Sequence, residues 1–365
     1  MAETPIPLVK VAMAPEAVLW PRLREVLYSG QIGEGATVVE FEEQFGQRFG
    51  LPRALSFHSG TAALHCALTL AGVARGCEVV STPMTAEPTN LAILHAGGTV
   101  VWADLDPQSG NMDPASLEAC ITSRTRAILV VHYGGVPVRL DEILAIAARH
   151  GIAVIEDCAH ALGARYRGAG IGTLGDFGMY SLQAIKHMTT VDGGMLTLRD
   201  GSAVERAKAF RWFGMQRGVD RAKVDITEVG YKYHMNNVTA AIGLAQLTGI
   251  DALIARHQDN GRYFDRVMPA IGGIEVARFD AVAEPSYWFY TLLCDDSADL
   301  IRRLGTHGIS ASKLHRPNNL HSIFASAARP LPGLDAFYAR MLHIPCGWWV
   351  DDADRERIVA AVRQG

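Results

Sequence analysis

The sequence contains no pair of closely spaced cysteines; its six, Cys66, Cys77, Cys120, Cys158, Cys294 and Cys346, are scattered along 365 residues. That distribution argues against a zinc module and against a disulfide framework. An excess of charge of one sign is missing as well. Thirty-four Lys and Arg stand against thirty-eight Asp and Glu, a formal −4. Neither nucleic acid nor an anionic membrane surface is therefore an expected partner. No unbroken apolar run reaches the length of a membrane span, and Met1 to Ala14 carries prolines and a lysine but no apolar signal core. Internal repeats and low-complexity segments are absent too. What is present is a chain that is 49% hydrophobic, enough for a large core and for one large domain with a smaller companion. Small-molecule chemistry in the cytoplasm is the expectation, with no metal.

Met1 to Pro15 reads as an arm. Glu16 to Tyr28 has helical spacing and stops at Ser29-Gly30, and Val38 to Phe49 is helical again. From there strands and helices alternate. The strands are expected at Ala54–Phe57, Glu78–Ser81, Thr99–Trp102, Ala127–Val131 and from Ala153. Helices are expected at 62–71, 89–95, 114–121 and 140–150. Continuous apolar strands in β–α alternation imply an α/β fold, with a mostly parallel sheet covered by helices on both faces. Ligands of such sheets sit beyond the carboxyl ends of the strands. One long helix is expected from Val238 past Ala255, carrying the change of domain. A strand at Tyr287–Cys294 and helices at 298–304 and 352–362 then form a smaller α+β domain. The division is thus 1–15 arm, 16–255 large domain and 256–365 small domain.

The stretch from Ile155 to Leu196 concentrates the chemistry. Asp157 ends a strand that reads as fully buried, where a charged carboxylate needs a partner. A protonated pyridine nitrogen would serve as that partner; a structural acid capping a loop is the alternative. Lys186 lies in a loop flanked by Ala184, Ile185 and Met188. A lysine in apolar surroundings loses its proton more readily and can attack an aldehyde, although most lysines are surface residues. Ser59-Gly60-Thr61 falls between a strand and a helix and is a candidate phosphate site, or simply a helix cap. Ser181 precedes Lys186 and is a second candidate for the phosphate. His160 could stack on or hydrogen-bond a ring held at Asp157, or be a satisfied core histidine. His132, His315 and His321 are weaker candidates for substrate contact.

Gly170-Ile171-Gly172-Thr173-Leu174-Gly175 matches a dinucleotide fingerprint as a string. The strand-like Asp176–Tyr180 follows it where that motif needs a helix, so a tight turn is expected instead.

Taken in order, these pieces resemble the DegT/StrS-type sugar aminotransferases, pyridoxal phosphate enzymes of fold type I. The likeness runs almost end to end. It includes Ser29-Gly30, Val39-Glu40-Phe41-Glu42, Ser59 to Leu64, Asp104-Leu105-Asp106, Glu156 to Ala164, Gly172 to Asp176, Ser181 to Lys186 and Ala240 to Leu247. The resemblance implies that Lys186 attaches the cofactor and serves as catalytic base, and that Asp157 pairs with the ring nitrogen. It places His160 beside the ring and assigns the phosphate to Gly60, Thr61 and Ser181, with Ser59 beside them. It further implies a homodimer with shared sites, Gly230 to His234 reaching the partner's cofactor phosphate or substrate, where Lys232, a departure from the pattern, would offer a cation for phosphate.

Three positions depart from the family pattern. Ala86 stands where an aromatic often stacks on the ring. Lys232 and His234 replace Asn and Arg. Val191 replaces a glycine, so the loop is expected to need no positive φ there.

The resulting expectation is transfer of an amino group from an amino acid, by resemblance glutamate, to a nucleotide-linked keto sugar. A cofactor-dependent sugar dehydratase, in which histidine replaces the lysine, and a non-catalytic cofactor-binding regulator are the alternatives. His187 beside Lys186 keeps the first of these open.

Overall fold

The computed structural model describes residues 4–51 and 53–364. The part of the expected arm at 1–3, like the last residue of the expected small domain, lies outside the described residues.

Helices α1 (Glu16–Tyr28) and α2 (Ala36–Phe49) precede the alternating segment. It runs β1 (Ala54–Phe57), α3 (Gly60–Leu70), β2 (Glu78–Ser81), α4 (Glu87–His95), β3 (Thr99–Trp102), α5 (Pro114–Cys120), β4 (Thr125–Val131), α6 (Leu140–His150) and β5 (Ala153–Asp157). A short ribbon, β6 (Arg165–Tyr166) and β7 (Ala169–Gly170), leads to β8 (Phe177–Ser181) and β9 (Gly194–Leu198), then α7 (Val204–Phe210). The order of the seven-stranded sheet is β1-β9-β8-β5-β4-β2-β3. All its strands are parallel except β9, which pairs antiparallel with both β1 and β8. Its strands are almost wholly buried because apolar clusters cover both faces, one with Leu68, Trp102 and Leu129, the other with Phe41, Ile128 and Ile143.

The register puts the candidate residues at one edge. Gly194 at the start of β9 lies opposite both Phe57 of β1 and Ser181 of β8, and Asp157 lies opposite Met179. The carboxyl ends of β1, β8 and β5 therefore meet there.

The long helix expected from Val238 is two helices, α8 (Asn237–Leu247) and α9 (Ile250–Val267), bent by 60°. The break falls at Thr248-Gly249. The Thr248 hydroxyl donates back to the Ala245 carbonyl at 2.7 Å, and Gly249 leaves helical geometry at φ −117°, ψ 1°. An apolar stripe continuing through the bend hides it from a periodicity argument. Among the described residues no single helix is long and apolar enough to cross a membrane.

β10 (Glu275–Val276), β11 (Ala283–Glu284), β12 (Tyr290–Leu293), α10 (Ser297–Thr306), α11 (Pro332–Arg340), β13 (Met341–Ile344) and α12 (Asp352–Arg363) complete the chain. β10, β12 and β13 make a second sheet, packed with Phe264 of α9 in a third apolar cluster. The two regions are stitched together. The Asp104 carboxylate accepts from the Gly333 and Leu334 amides, both at 2.8 Å, and so caps the start of α11. The arm is laid on the C-terminal region: the Ile6 amide donates to Gly308 and Trp349 Nε1 to the Pro7 carbonyl.

Candidate active site

Asp157 is buried at the end of β5, its Oδ1 accepting from the Ala159 amide (3.0 Å) and Oδ2 from the Thr89 hydroxyl (2.8 Å). Burial raises its pKa above the usual carboxylate value; those two hydrogen bonds and the nearby Lys186 charge oppose the rise. Lys186 Nζ lies 3.9 Å from the centroid of the Trp288 ring, over its face. Removal from water brings the lysine down to about 7, against the attraction of Asp157. A substantial share of free amine is thus present at neutral pH, which a nucleophile or proton acceptor needs.

Three histidines close in around this pair. His160 stacks on Trp288 (4.0 Å between centroids, 20° between planes) and faces His315 at 5.6 Å and 5°. His343 is buried behind them, with Nε2 2.9 Å from the Tyr133 hydroxyl. Desolvation and the Lys186 charge push His160 and His315 down, the latter to about 4, so both are neutral. His160 Nδ1 and His315 Nε2 are buried with no hydrogen-bond partner among the described residues. Each leaves a ring nitrogen for a bound molecule.

Ser59 caps α3, its Oγ accepting from the Ala62 amide at 3.2 Å while its carbonyl accepts from Ala63. The Gly60 and Thr61 amides stand earlier in the helix, where no intrahelical acceptor exists. Backbone packing explains the glycines here. A Cβ on Gly60 would lie 2.9 Å from Met179 Sδ, and one on Gly194 would lie 2.6 Å from the Gly60 nitrogen. Ser181 lies against Gly60, its Cβ 3.4 Å from that same added carbon. Free amides at a helix start with two serines and a threonine make an anion cradle.

Cradle, buried acid, depressed lysine and orphaned ring nitrogens suit pyridoxal phosphate. Gly60, Thr61 and Ser181 would take its phosphate, Asp157 its ring nitrogen and Lys186 its aldehyde. The structure brings Ser59, Gly60, Thr61 and Ser181 together, and Asp157, His160 and Lys186 together. Lys232 it leaves apart: the side chain is exposed and makes no hydrogen bond among the described residues. Its backbone bridges Trp212, while the next residue's carbonyl accepts from the His58 amide at 2.8 Å.

Several expectations change. Val191 does adopt a positive φ, 75°, so the loop after Lys186 keeps the turn that a glycine would serve. The demand comes from the Thr189 side chain, whose Oγ1 accepts the Val191 amide at 2.8 Å, and from the tight return into β9. The glycine string at 170–175 is a turn with a purpose of its own. The Gly172, Leu174 and Gly175 amides all donate to the buried Glu156 carboxylate, and His132 Nε2 lies 3.1 Å from it. It is an anion nest filled by the chain itself. His132, Glu156 and Cys158 also lie close enough to hold a metal. The Glu156 oxygens are taken by these amides, however, and His132 Nδ1 accepts from the Val138 amide. His187 is turned away, its Nε2 3.1 Å from the Ser286 carbonyl and its ring against His257. His321 lies 3.6 Å from Glu87, at the rim.

Trp288, Thr89 and Asn318 went unnoticed in the sequence. Thr89 lies in the first turn of α4, its hydroxyl 3.0 Å from that of Thr85 in the turn before the helix. Nothing local marks Trp288, which lies far along the chain from the residues it touches.

Comparison with known proteins agrees with the geometry. The sugar aminotransferase CalS13 from Micromonospora echinospora superposes with a TM-score of 0.95 at 42% identity, covering 99% of this chain and all of that one. The GDP-perosamine synthase of Caulobacter vibrioides is 33% identical over 337 residues, 90% of each chain. The UDP-4-amino-4-deoxy-L-arabinose–oxoglutarate aminotransferase of Shewanella sediminis is 31% identical over 365 aligned positions, 93% of each. A model of the DegT/DnrJ/EryC1/StrS aminotransferase family matches residues 17–363, and the chain belongs to that family.

Proposed function

We propose that this protein is a pyridoxal phosphate-dependent aminotransferase that converts a nucleotide-linked keto sugar to an amino sugar, with glutamate as donor. The observation that carries the reading is Lys186, held over the Trp288 ring and brought down to about 7 by burial, in the field of the buried Asp157 carboxyl. The names of two relatives support the substrate class, one carrying a GDP-linked sugar and the other a UDP-linked amino sugar with oxoglutarate.

Bound pyridoxal phosphate supplies an aldehyde that receives the amino group and a ring that accepts electrons. The chain supplies the rest. The α3 amides and the Ser181 hydroxyl hold the phosphate. Asp157 holds a proton at the ring nitrogen. Lys186 Nζ takes the proton from the α-carbon of the amino acid and returns protons on the way to the amino sugar, one base serving both directions. Trp288 packs against the lysine and the neutral His160 stacks on Trp288, so Nζ is held largely out of water.

The His187 ring is engaged behind the loop by Ser286 and His257. It therefore gives the dehydratase reading no support.

The protein is cytoplasmic in this reading, and a homodimer. Tyr28, Ile32, Val191, Phe213 and Val229 are exposed apolar side chains. The loops that bear them adjoin: Gly33 accepts from Asn237, and Phe213 donates to the Tyr231 carbonyl. An apolar surface of this kind marks an interface. Lys232 lies among these residues, placed to reach a partner's phosphate.

The test is spectroscopic and chemical. The purified protein should show a visible absorption band that glutamate bleaches with release of 2-oxoglutarate, and Lys186→Ala should lack the band. A panel of nucleotide-linked keto sugars then identifies the acceptor. A band that persists unchanged in Lys186→Ala, or one that no amino acid bleaches, would refute the proposal.

A further inference from the structure

Asp157 is oriented by other residues. The Thr89 hydroxyl that donates to its Oδ2 lies 3.0 Å from the Thr85 hydroxyl. With the Thr89 proton committed to the carboxylate, Thr85 must be the donor of the pair. The backbone carbonyl of Thr85 accepts from Asn318 Nδ2 at 2.8 Å. Asn318 is fully buried and uses every polar group it has. Its amide donates to the Pro83 carbonyl and its Oδ1 accepts from Asn90 Nδ2, both at 2.8 Å. Asn90 in turn accepts from Ser81 (2.7 Å) and donates to the Thr82 carbonyl (3.0 Å). One asparagine from the C-terminal region thus buckles the whole turn between β2 and α4.

We infer that Asn318 is a positioning residue for Asp157: it fixes the turn that carries Thr85, so that Thr85 and Thr89 deliver a hydroxyl to one carboxylate oxygen. The inference rests on the reading of Asp157 as the partner of the cofactor ring nitrogen. Burial favours the neutral acid and the Thr89 hydrogen bond favours the anion, so a slackened turn weakens the charge that the ring nitrogen meets. The segment that holds Asn318 also carries His315, stacked on His160. The same short stretch of chain therefore serves both the acid below the ring and the pocket wall beside it.

Cofactor affinity of the full-length protein, titrated by the visible band, tests this. Hydrogen bonds to charged groups are strong enough that Thr89→Val should bind pyridoxal phosphate about tenfold more weakly. Asn318→Ala should show a loss of the same order. Asn318→Leu is close in size, adds no charge and removes the donor to Thr85 together with the acceptor for Asn90; it should show the loss even if the alanine variant folds poorly. Because the residues act in series, Thr89→Val with Asn318→Ala should be no worse than Thr89→Val alone. Thr85→Ser should bind as the native protein does and Thr85→Val as Thr89→Val does, a contrast that a purely structural role would not produce. Native affinity in both Asn318 variants, or losses that multiply in the double variant, would overturn the inference. Asp157→Asn is the control. If it too binds cofactor normally, the cofactor reading fails and this inference with it. If it loses affinity while the Asn318 variants do not, only the positioning role is wrong.

Discussion

A valine at φ 75° is costly, because its branched side chain crowds the backbone in the left-handed region. Val191 holds that conformation while more than half exposed, at 54%. Little packing within the protomer offsets the strain. Val191→Gly should therefore stabilise the monomeric fold by about 0.5–1 kcal/mol, the relief of strain exceeding the extra freedom glycine gives the unfolded chain. Chemical denaturation at low protein concentration measures this. A loss of stability would show that the exposed side chain is packed in the working assembly.

Lys186 stores a different strain, an electrostatic one. Its folded value of about 7 lies below the ordinary 10.5, so between those two pH values the unfolded chain binds more protons than the folded one. Stability from this group therefore rises with pH across that window and is lowest below it. In the cofactor-free protein Lys186→Met should gain roughly 1–2 kcal/mol at neutral pH, a discounted figure because the lysine is partly accessible and Asp157 loses a neighbouring charge. The gain should shrink toward pH 10. Melting curves of the two proteins that run parallel from pH 7 to 10 would refute the depressed lysine.

At the scale of elements, short-range pattern was legible where the elements are regular. β2 and β3 lie where alternation with apolar strands put them, and α6 has the bounds its periodicity gave. Other elements left no such trace. β9 is a five-residue strand that begins at the second glycine of Gly193-Gly194, and β13 follows directly on α11, so neither is bounded by a clear signal. The glycine inside α9 and the one just before it show how context overrides propensity. Helix propensity alone makes a glycine-to-alanine change in a helix favourable by about 1 kcal/mol. At Gly261 the added Cβ would fall 2.2 Å from the Tyr287 ring, whose hydroxyl is bonded to Asp265. Gly261→Ala should cost about 2 kcal/mol or more through overpacking. At Gly249 the Cβ meets nothing within 4 Å and φ is negative, so Gly249→Ala should be neutral within about 0.5 kcal/mol. Thermal melts of the two variants decide it; equal effects would mean that the tight contact relaxes freely.

At the scale of the whole molecule, Ser59, Asp157, Ser181 and Lys186 were legible as sheet-edge positions because each ends or shortly follows a strand: β1, β5 and, for the last two, β8. Asn318 and Trp288 were not. Asn318 pairs with Asn90 across 228 residues, and no local pattern encodes such a distance. Lys232 is the reverse case, a residue marked in the sequence whose exposed side chain makes no hydrogen bond among the described residues. A symmetric dimer resolves this if each Lys232 serves the opposite site, and that arrangement has a quantitative consequence. Lys186→Ala should abolish the site of its own subunit, and Lys232→Ala should leave the site of the other inactive at limiting cofactor. Mixing the two inactive proteins and allowing subunits to exchange gives half heterodimers, each with one site fully native and one doubly altered. Activity should recover to about a quarter of the native value per subunit. If Lys232 instead served its own subunit, every site in the mixture would carry one defect, and no activity would return.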